Sequence, residues 1–320
     1  MKTLFDETHL GNIALKNRII RSATYEGLAD ETGHMTNRFF KAYQDLAEGG
    51  VGLIITGVTN ITQKSKYLTG MMEIYDDSFI EDYKRLTDMS HMNDCPMLIR
   101  LPFAGSGGVL WTPSNPSTAE LEAILQPFDE SALRAKRAGF DGIQIHAAHN
   151  YFLSQLLNNR QNTRRDEYGG SLENQARILL GIYAEIREKI NKDFHVSIKI
   201  NCTDLDGNHK VFTACRYVCA QLAIKGINSI EISAGTGPFN LHPAFDYSES
   251  VLRDYAAQIA EETKVPIILV GLNRTPAVME EILNTKNIEY FSISRPLLKR
   301  SHLVNEWQNT HESNILRKGW

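Results

Sequence analysis

The chain has 320 residues, 42% of them hydrophobic, enough to bury a large core and within the range of one α/β barrel or two ordinary domains. Its 34 basic and 38 acidic side chains give a net charge of -4 with no basic block, which excludes a protein that tracks the phosphates of a nucleic acid. No run reaches the roughly 18 apolar residues that span a bilayer, and the four cysteines lack a CxxC pair, so the composition predicts a cytoplasmic protein with no membrane, no disulfide framework and no iron–sulfur or zinc seed.

In chain order, residues 1–18 place a turn at Gly11-Asn12 between apolar residues and predict a short hairpin. Eight Val/Ile/Leu-rich runs then read as strands: 19–24, 51–57, 97–102, 142–147, 196–201, 229–234, 266–271 and 290–295. They show near-continuous hydrophobicity with little alternation, as in strands covered on both faces of a parallel sheet. Helix-period segments lie between them, for example "NRFFKAYQDLAEGG" and "SLENQARILLGIYAEIREKI", several opening on a capping residue and closing on Gly. The eightfold βα order, with no linker in the middle, predicts a single-domain (β/α)8 TIM barrel over 1–320, the N-terminal hairpin closing its bottom. Cys215 and Cys219, four apart among apolar residues, are expected in the core.

Active sites in such barrels gather at the C-terminal ends of the strands. The polar residues there are Ser22, Thr24 and Tyr25; Thr59 and Asn60; Arg100; His146, His149 and Tyr151; Lys199 and Asn201; Ser233; Gly271 to Arg274; and Ser294 with Arg295. The loops after strands 7 and 8, "VGLNRTP" and "SISRP", fit a phosphate seat built from backbone N–H groups and Arg295. Arg100 and Lys199 lie inside strands, where a cation needs a partner: a barrel carboxylate such as Asp204 or Glu231 would serve, but two such cations fit better with a ligand across the barrel top. Trp111, Phe239 and Phe245 suggest a partly apolar lid.

His146, His149 and Tyr151 admit three readings. They could be packing; they could be metal ligands, although two nitrogens fall short of a catalytic zinc and strand 1 reads "IIRSATYEG" with no histidine. Or two imidazole N–H groups could polarise a substrate oxygen while the phenol supplies a proton. The third reading needs a redox cofactor as hydride source, seated at strands 7 and 8.

The segment "AGFDGIQIHAAHNYFLSQLLNNRQNTRRDEYGGSLENQAR", together with "LGNIALKNRIIRSATYEGLADETG", "VGLNRTPAVMEEIL" and "SRPLLKR", resembles the Old Yellow Enzyme family of FMN-dependent oxidoreductases over nearly the whole chain. That resemblance implies FMN as cofactor, NADH or NADPH as reductant, and an activated alkene as the small-molecule substrate; quinones, amines or alcohols are alternative substrates, and a barrel with weakened flavin binding a further alternative. It places His146 and His149 on the substrate oxygen and Tyr151 as proton donor. Ser22, Ala23, Thr24 and Tyr25 fall along the flavin edge, Asn60 near a flavin carbonyl, and Gly271, Ser294 and Arg295 at its phosphate. The family usually has Gln at Arg100, Arg at Lys199, Cys or Thr at Tyr25 and Gly at Ser294; the resemblance implies that Lys199 keeps a positive charge beside the flavin. Larger relatives continue through a four-cysteine motif, and with no cysteine after Cys219 direct reduction by NAD(P)H is expected. The oligomeric state stays open, a homo-oligomer included.

Overall fold

The computed structural model describes residues 1–63, 66–106, 109–205, 208–235 and 248–318. Its centre is a closed parallel barrel of β1 (Ile19–Arg21), β2 (Leu53–Asn60), β3 (Met97–Leu101), β4 (Gly142–Ala147), β5 (His195–Thr203), β6 (Ser229–Ala234), β7 (Ile267–Leu269) and β8 (Tyr290–Ile293). The strands pair in chain order, and β8 returns to β1 with Ser292 opposite Ile20. Helices α1 (Asn37–Glu48), α2 (Ile80–His91), α3 (Leu125–Arg137), α4 (Leu172–Lys189), α5 (His209–Ile224), α6 (Arg253–Thr263), α7 (Pro276–Thr285) and α8 (Leu303–Lys318) follow them in turn. Local sequence starts these helices: Thr36 Oγ1 accepts from Phe39 N at 3.2 Å ahead of α1 and Ser171 Oγ from Asn174 N at 3.2 Å ahead of α4, each satisfying a donor the helix itself leaves open. Among the described residues no helix is long and apolar enough to cross a membrane.

The strands differ from the predicted pattern in one instructive respect. In β4, β5 and β6, outward Ile143, Ile145, Val196, Ile198, Ile200, Ile230 and Ile232 join the core beneath the helices, while Gln144, His146, Ser197, Lys199, Asn201, Glu231 and Ser233 alternate with them. The alternation follows from strand geometry, successive side chains pointing to opposite faces. Here the inner face is polar because it builds a site rather than a second apolar layer.

An apolar layer closes the bottom of the barrel. Thr8–Leu10 and Ile13–Leu15 form the expected antiparallel hairpin, turning at Gly11, whose φ of 62° suits a residue without Cβ. Leu10, Ile13 and Leu15 pack with Ile20, Leu53, Ile55, Leu98 and Ile268 as an apolar plug. Cys95, Cys202, Cys215 and Cys219 are free and buried. The "NTRRDEYGG" block has a structural use: Arg164 pairs with Asp166 and donates to the carbonyls of Pro113 and Pro116 at 2.8 and 2.6 Å. It thereby clamps the loop after β3 to the start of α4. Trp111, on that loop, packs edge-on against Phe103 and Phe152 at 5.3 and 5.5 Å between ring centroids; Phe239 and Phe245 lie outside the described residues.

Candidate active site

β4 delivers His146 to the barrel interior, where it has no solvent exposure and neither ring nitrogen has a hydrogen-bond partner. His149 and Tyr151 follow on the β4 exit, their ring centroids 5.2 and 5.1 Å from that of His146. The chain reaches this geometry through two successive left-handed residues, His149 at φ 60° and Asn150 at φ 62°, a conformation that costs non-glycine residues of order 1–3 kcal/mol and persists only where the surroundings enforce it. Asn201 of β5 does so by accepting from His149 N at 3.2 Å, while its amide donates to Asp204 at 2.7 Å and to the Gly235 carbonyl at 2.8 Å. Ser233 of β6 lies 2.7 Å from His149 Nε2, which leaves Nδ1 as the ring nitrogen available to a ligand.

Burial, reinforced by the positive charges of Arg100 and Lys199, holds both imidazoles below the usual histidine range, His149 at about 3. They are therefore neutral N–H donors rather than cations. Tyr67, from the loop after β2, stands with its ring 5.5 Å from that of Tyr151 and its hydroxyl buried without a partner; burial pushes that phenol well above its ordinary value.

The two interior cations differ. Lys199 Nζ donates to Glu231 at 3.0 Å and to Ser22 Oγ at 2.8 Å, so for this residue the barrel carboxylate is the partner. Arg100 is 5% exposed; its Nη1 makes one long contact with the Ala23 carbonyl at 3.5 Å, its Nε has no partner, and it forms no ion pair among the described residues. Ser22 and Asn60 are buried, Asn60 donating to the Thr62 carbonyl at 2.6 Å. Tyr25 is 41% exposed and its hydroxyl donates to the Thr69 carbonyl.

Around the mouth, Thr24 and Ser294 hydroxyls meet at 2.8 Å, joining the ends of β1 and β8. Gly271 at φ 118° and Leu272 at φ 59° turn the β7 exit, and Arg295 is exposed at the start of Arg295–Lys299. The expected phosphate seat is narrower than the sequence implied, because Arg274 N and Thr275 N both donate to Glu249. Gly271, Ser294 and Arg295 are left on adjoining strand exits. An open hollow of about 800 Å³ at the other end of the barrel is lined by His9, Asn12, His91 and Asp141, but His91 and Asp141 already satisfy one another at 2.8 Å. Among the described residues no group of three or more His, Cys, Asp or Glu could hold a metal ion.

Strand-end position brought together His146, His149, Tyr151, Arg100 and Lys199, with Asn201 and Ser233 behind them. Tyr67, Gln144 and Ser292 escaped it: the first comes from an irregular loop, the others lie one layer deeper. Alternation in "GIQIHA" and "FSIS" is the signal that marks the deeper pair as inward-facing.

The model of the NADH:flavin oxidoreductase / NADH oxidase family matches residues 3–112 and 109–314. The chain belongs to this family. A relative described as NADH oxidase from Thermoanaerobacter brockii is 28% identical over 320 residues, 92% of this chain and 49% of the relative. A metal reductase from Desulforamulus reducens is 26% identical over 98% of this chain and 50% of its own length. The chain thus spans about half the length of the curated relatives it matches. The solved Old Yellow Enzyme homologue from Zymomonas mobilis shares the fold, with a TM-score of 0.83 at 22% identity over 97% of this chain and 93% of that one. Membership in the NADH:flavin oxidoreductase family makes FMN and a reduced nicotinamide nucleotide the cofactors. The residues present suit FMN: a buried guanidinium with an unused donor, an imidazole with both nitrogens unpartnered, and an exposed arginine, Arg295, at the β8 exit.

Proposed function

We infer that this chain is an ene-reductase, reducing alkenes conjugated to a carbonyl or nitro group. One observation carries the reading: His146 is fully buried, neutral and unpartnered at both nitrogens, beside His149 and Tyr151. A buried polar group without a partner is costly, and the acceptor oxygen of a substrate removes that cost.

Bound FMN would supply the hydride, after reduction by NADH or NADPH. Arg100, Lys199, Ser22, Ala23, Thr24, Tyr25 and Asn60 would seat its ring system, and Gly271, Ser294 and Arg295 its phosphate. His146 and the Nδ1 side of His149 donate to the acceptor oxygen, where negative charge grows as the β-carbon is reduced. Being neutral, they bind a neutral carbonyl without displacing their own protons into solvent. Tyr151 protonates the α-carbon, a phenol hydroxyl being one of the side-chain groups that serve as general acid when positioned beside the reacting atom. Asn201 and Ser233 fix the strained His149 so that both donors converge.

The purified protein is expected to be yellow, to bleach anaerobically with NADH or NADPH, and to recolour faster with an enone than with a quinone or oxygen. A protein that cannot be loaded with FMN would replace this reading with a binding role, and faster recolouring with quinones would redirect it to quinone reduction.

A further inference from the structure

Among the described residues, Arg100, Lys199 and Glu231 are buried inside the barrel, and their pairing is unequal. Glu231 Oε1 accepts from Ser22 Oγ at 2.6 Å, Ser292 Oγ at 2.8 Å and Lys199 Nζ at 3.0 Å, and its Oε2 accepts from Gln144 Nε2 at 2.8 Å. Strands β4, β5, β6 and β8 and Ser22, the residue after β1, build this network, and Glu231 and Lys199 are 0% and 3% exposed. Burial alone would raise the carboxyl's pKa, but Lys199 and the donors from Ser22, Ser292 and Gln144 hold it below the ordinary glutamate value. Burial lowers the pKa of the Lys199 ammonium, but with the two groups 3.0 Å apart whatever charge Lys199 carries lies against an opposite charge. Arg100, 5% exposed, has no carboxylate partner among the described residues: its Nη1 reaches only the Ala23 carbonyl at 3.5 Å and its Nε has no partner.

We propose that Glu231 cancels Lys199, leaving Arg100 as the cation that sets the reduction potential of bound FMN and favours its negatively charged reduced form. Glu231 acts through Lys199 and is a positioning residue; Arg100 is the group that faces the cofactor. The physical basis is the weak screening of the interior: a buried charge whose partner lies within hydrogen-bonding distance projects little field, and one without a partner projects much more. Replacing the family's usual Gln by Arg100 therefore supplies the positive charge that the Lys199–Glu231 pair withholds. The two departures from the family pattern form one rearrangement of charge.

This inference rests on the flavin reading above, and one experiment separates the two. Each variant is loaded with FMN, and its FMN affinity, two-electron midpoint potential and sulfite affinity are measured; sulfite affinity rises with positive charge at the flavin. Arg100→Gln is expected to shift the two-electron equilibrium toward the oxidised flavin at least tenfold, about 30 mV, with a parallel loss of sulfite affinity. Glu231→Gln, which uncovers Lys199, is expected to shift both at least tenfold the other way. The double variant Lys199→Gln/Glu231→Gln removes the pair without stranding a buried charge, and its midpoint potential is expected to stay within the equivalent of a threefold shift from the parent, whatever its FMN affinity. A double variant that falls tenfold while Arg100→Gln stays at the parent potential would overturn the inference and return the role to Lys199. Failure of the parent chain itself to bind FMN would instead remove the functional reading, and this inference with it.

Discussion

Tyr151 is where the proposed chemistry is most exposed to test. Its ring stands 5.1 Å from that of His146, close enough for one small substrate to touch both. Tyr151→Phe keeps the ring and removes the proton. Loss of a positioned general acid typically costs 10²–10⁴-fold in rate, so reoxidation of the reduced protein by an enone should slow by about that factor, while reduction by NAD(P)H proceeds at the parental rate. Stopped-flow absorbance separates the two half-reactions; equal slowing of both would show that Tyr151 shapes the flavin site rather than donating a proton. At this scale the sequence was most readable where residues are neighbours in the chain. His146, His149 and Tyr151 sit within six positions, whereas Glu231, Ser292 and Gln144 on three strands and Ser22 at the β1 exit converge from far apart in the chain, a meeting that only barrel closure produces. Arg100 and Lys199 looked alike in sequence, both being cations inside strands; what distinguishes them is a carboxylate on the strand beside one of them.

At the scale of elements, the eight strands and the hairpin were legible because parallel strands beneath helices need an apolar outer row. Their ends were not, since the last residues of β1, β7 and β8 leave the sheet to form site loops instead of continuing to pair. Close approach between strands is likewise hidden until the register is known. Gly142 opens β4 opposite His195, and a Cβ placed there would lie 2.2 Å from the His195 carbonyl oxygen and 2.6 Å from its Cβ. Gly142→Ala must therefore push β4 away from β5, the two strands that hold His146 and Asn201 in register. Overpacking of this kind costs about 1–3 kcal/mol, read as a lower urea midpoint, and the displaced β4 should weaken enone turnover beyond what the stability loss explains. An unchanged midpoint would mean that the strands separate freely here, contrary to the packing.

Across the whole molecule, neutral histidines stand at both ends of the barrel, which makes its stability depend on pH in a definite direction. His195, at the bottom of β5, is fully buried, and burial followed by the charge of Arg187 holds its pKa at about 3; its Nε2 lies 2.8 Å from Ser229 Oγ. His146 at the top is depressed by the same cause. In the unfolded chain each histidine takes up a proton near pH 6.5, but the folded barrel refuses it until far lower pH. The unfolded state thus binds more protons between about pH 6.5 and pH 3, and stability falls as pH falls through that window. For His195 this removes about 1.4 kcal/mol per pH unit, or roughly 2 kcal/mol between pH 6.5 and pH 5. His195 isolates the effect because it stands at the start of β5, at the opposite end of that strand from Lys199 and Asn201. His195→Gln keeps a group able to bond Ser229 and abolishes the titration. Its urea stability relative to the parent is expected to improve by about 2 kcal/mol as the pH drops from 6.5 to 5, whatever the offset at neutral pH. A constant offset across that range would mean that the folded barrel accepts the proton, and that the bottom of the barrel is wetter than its packing indicates.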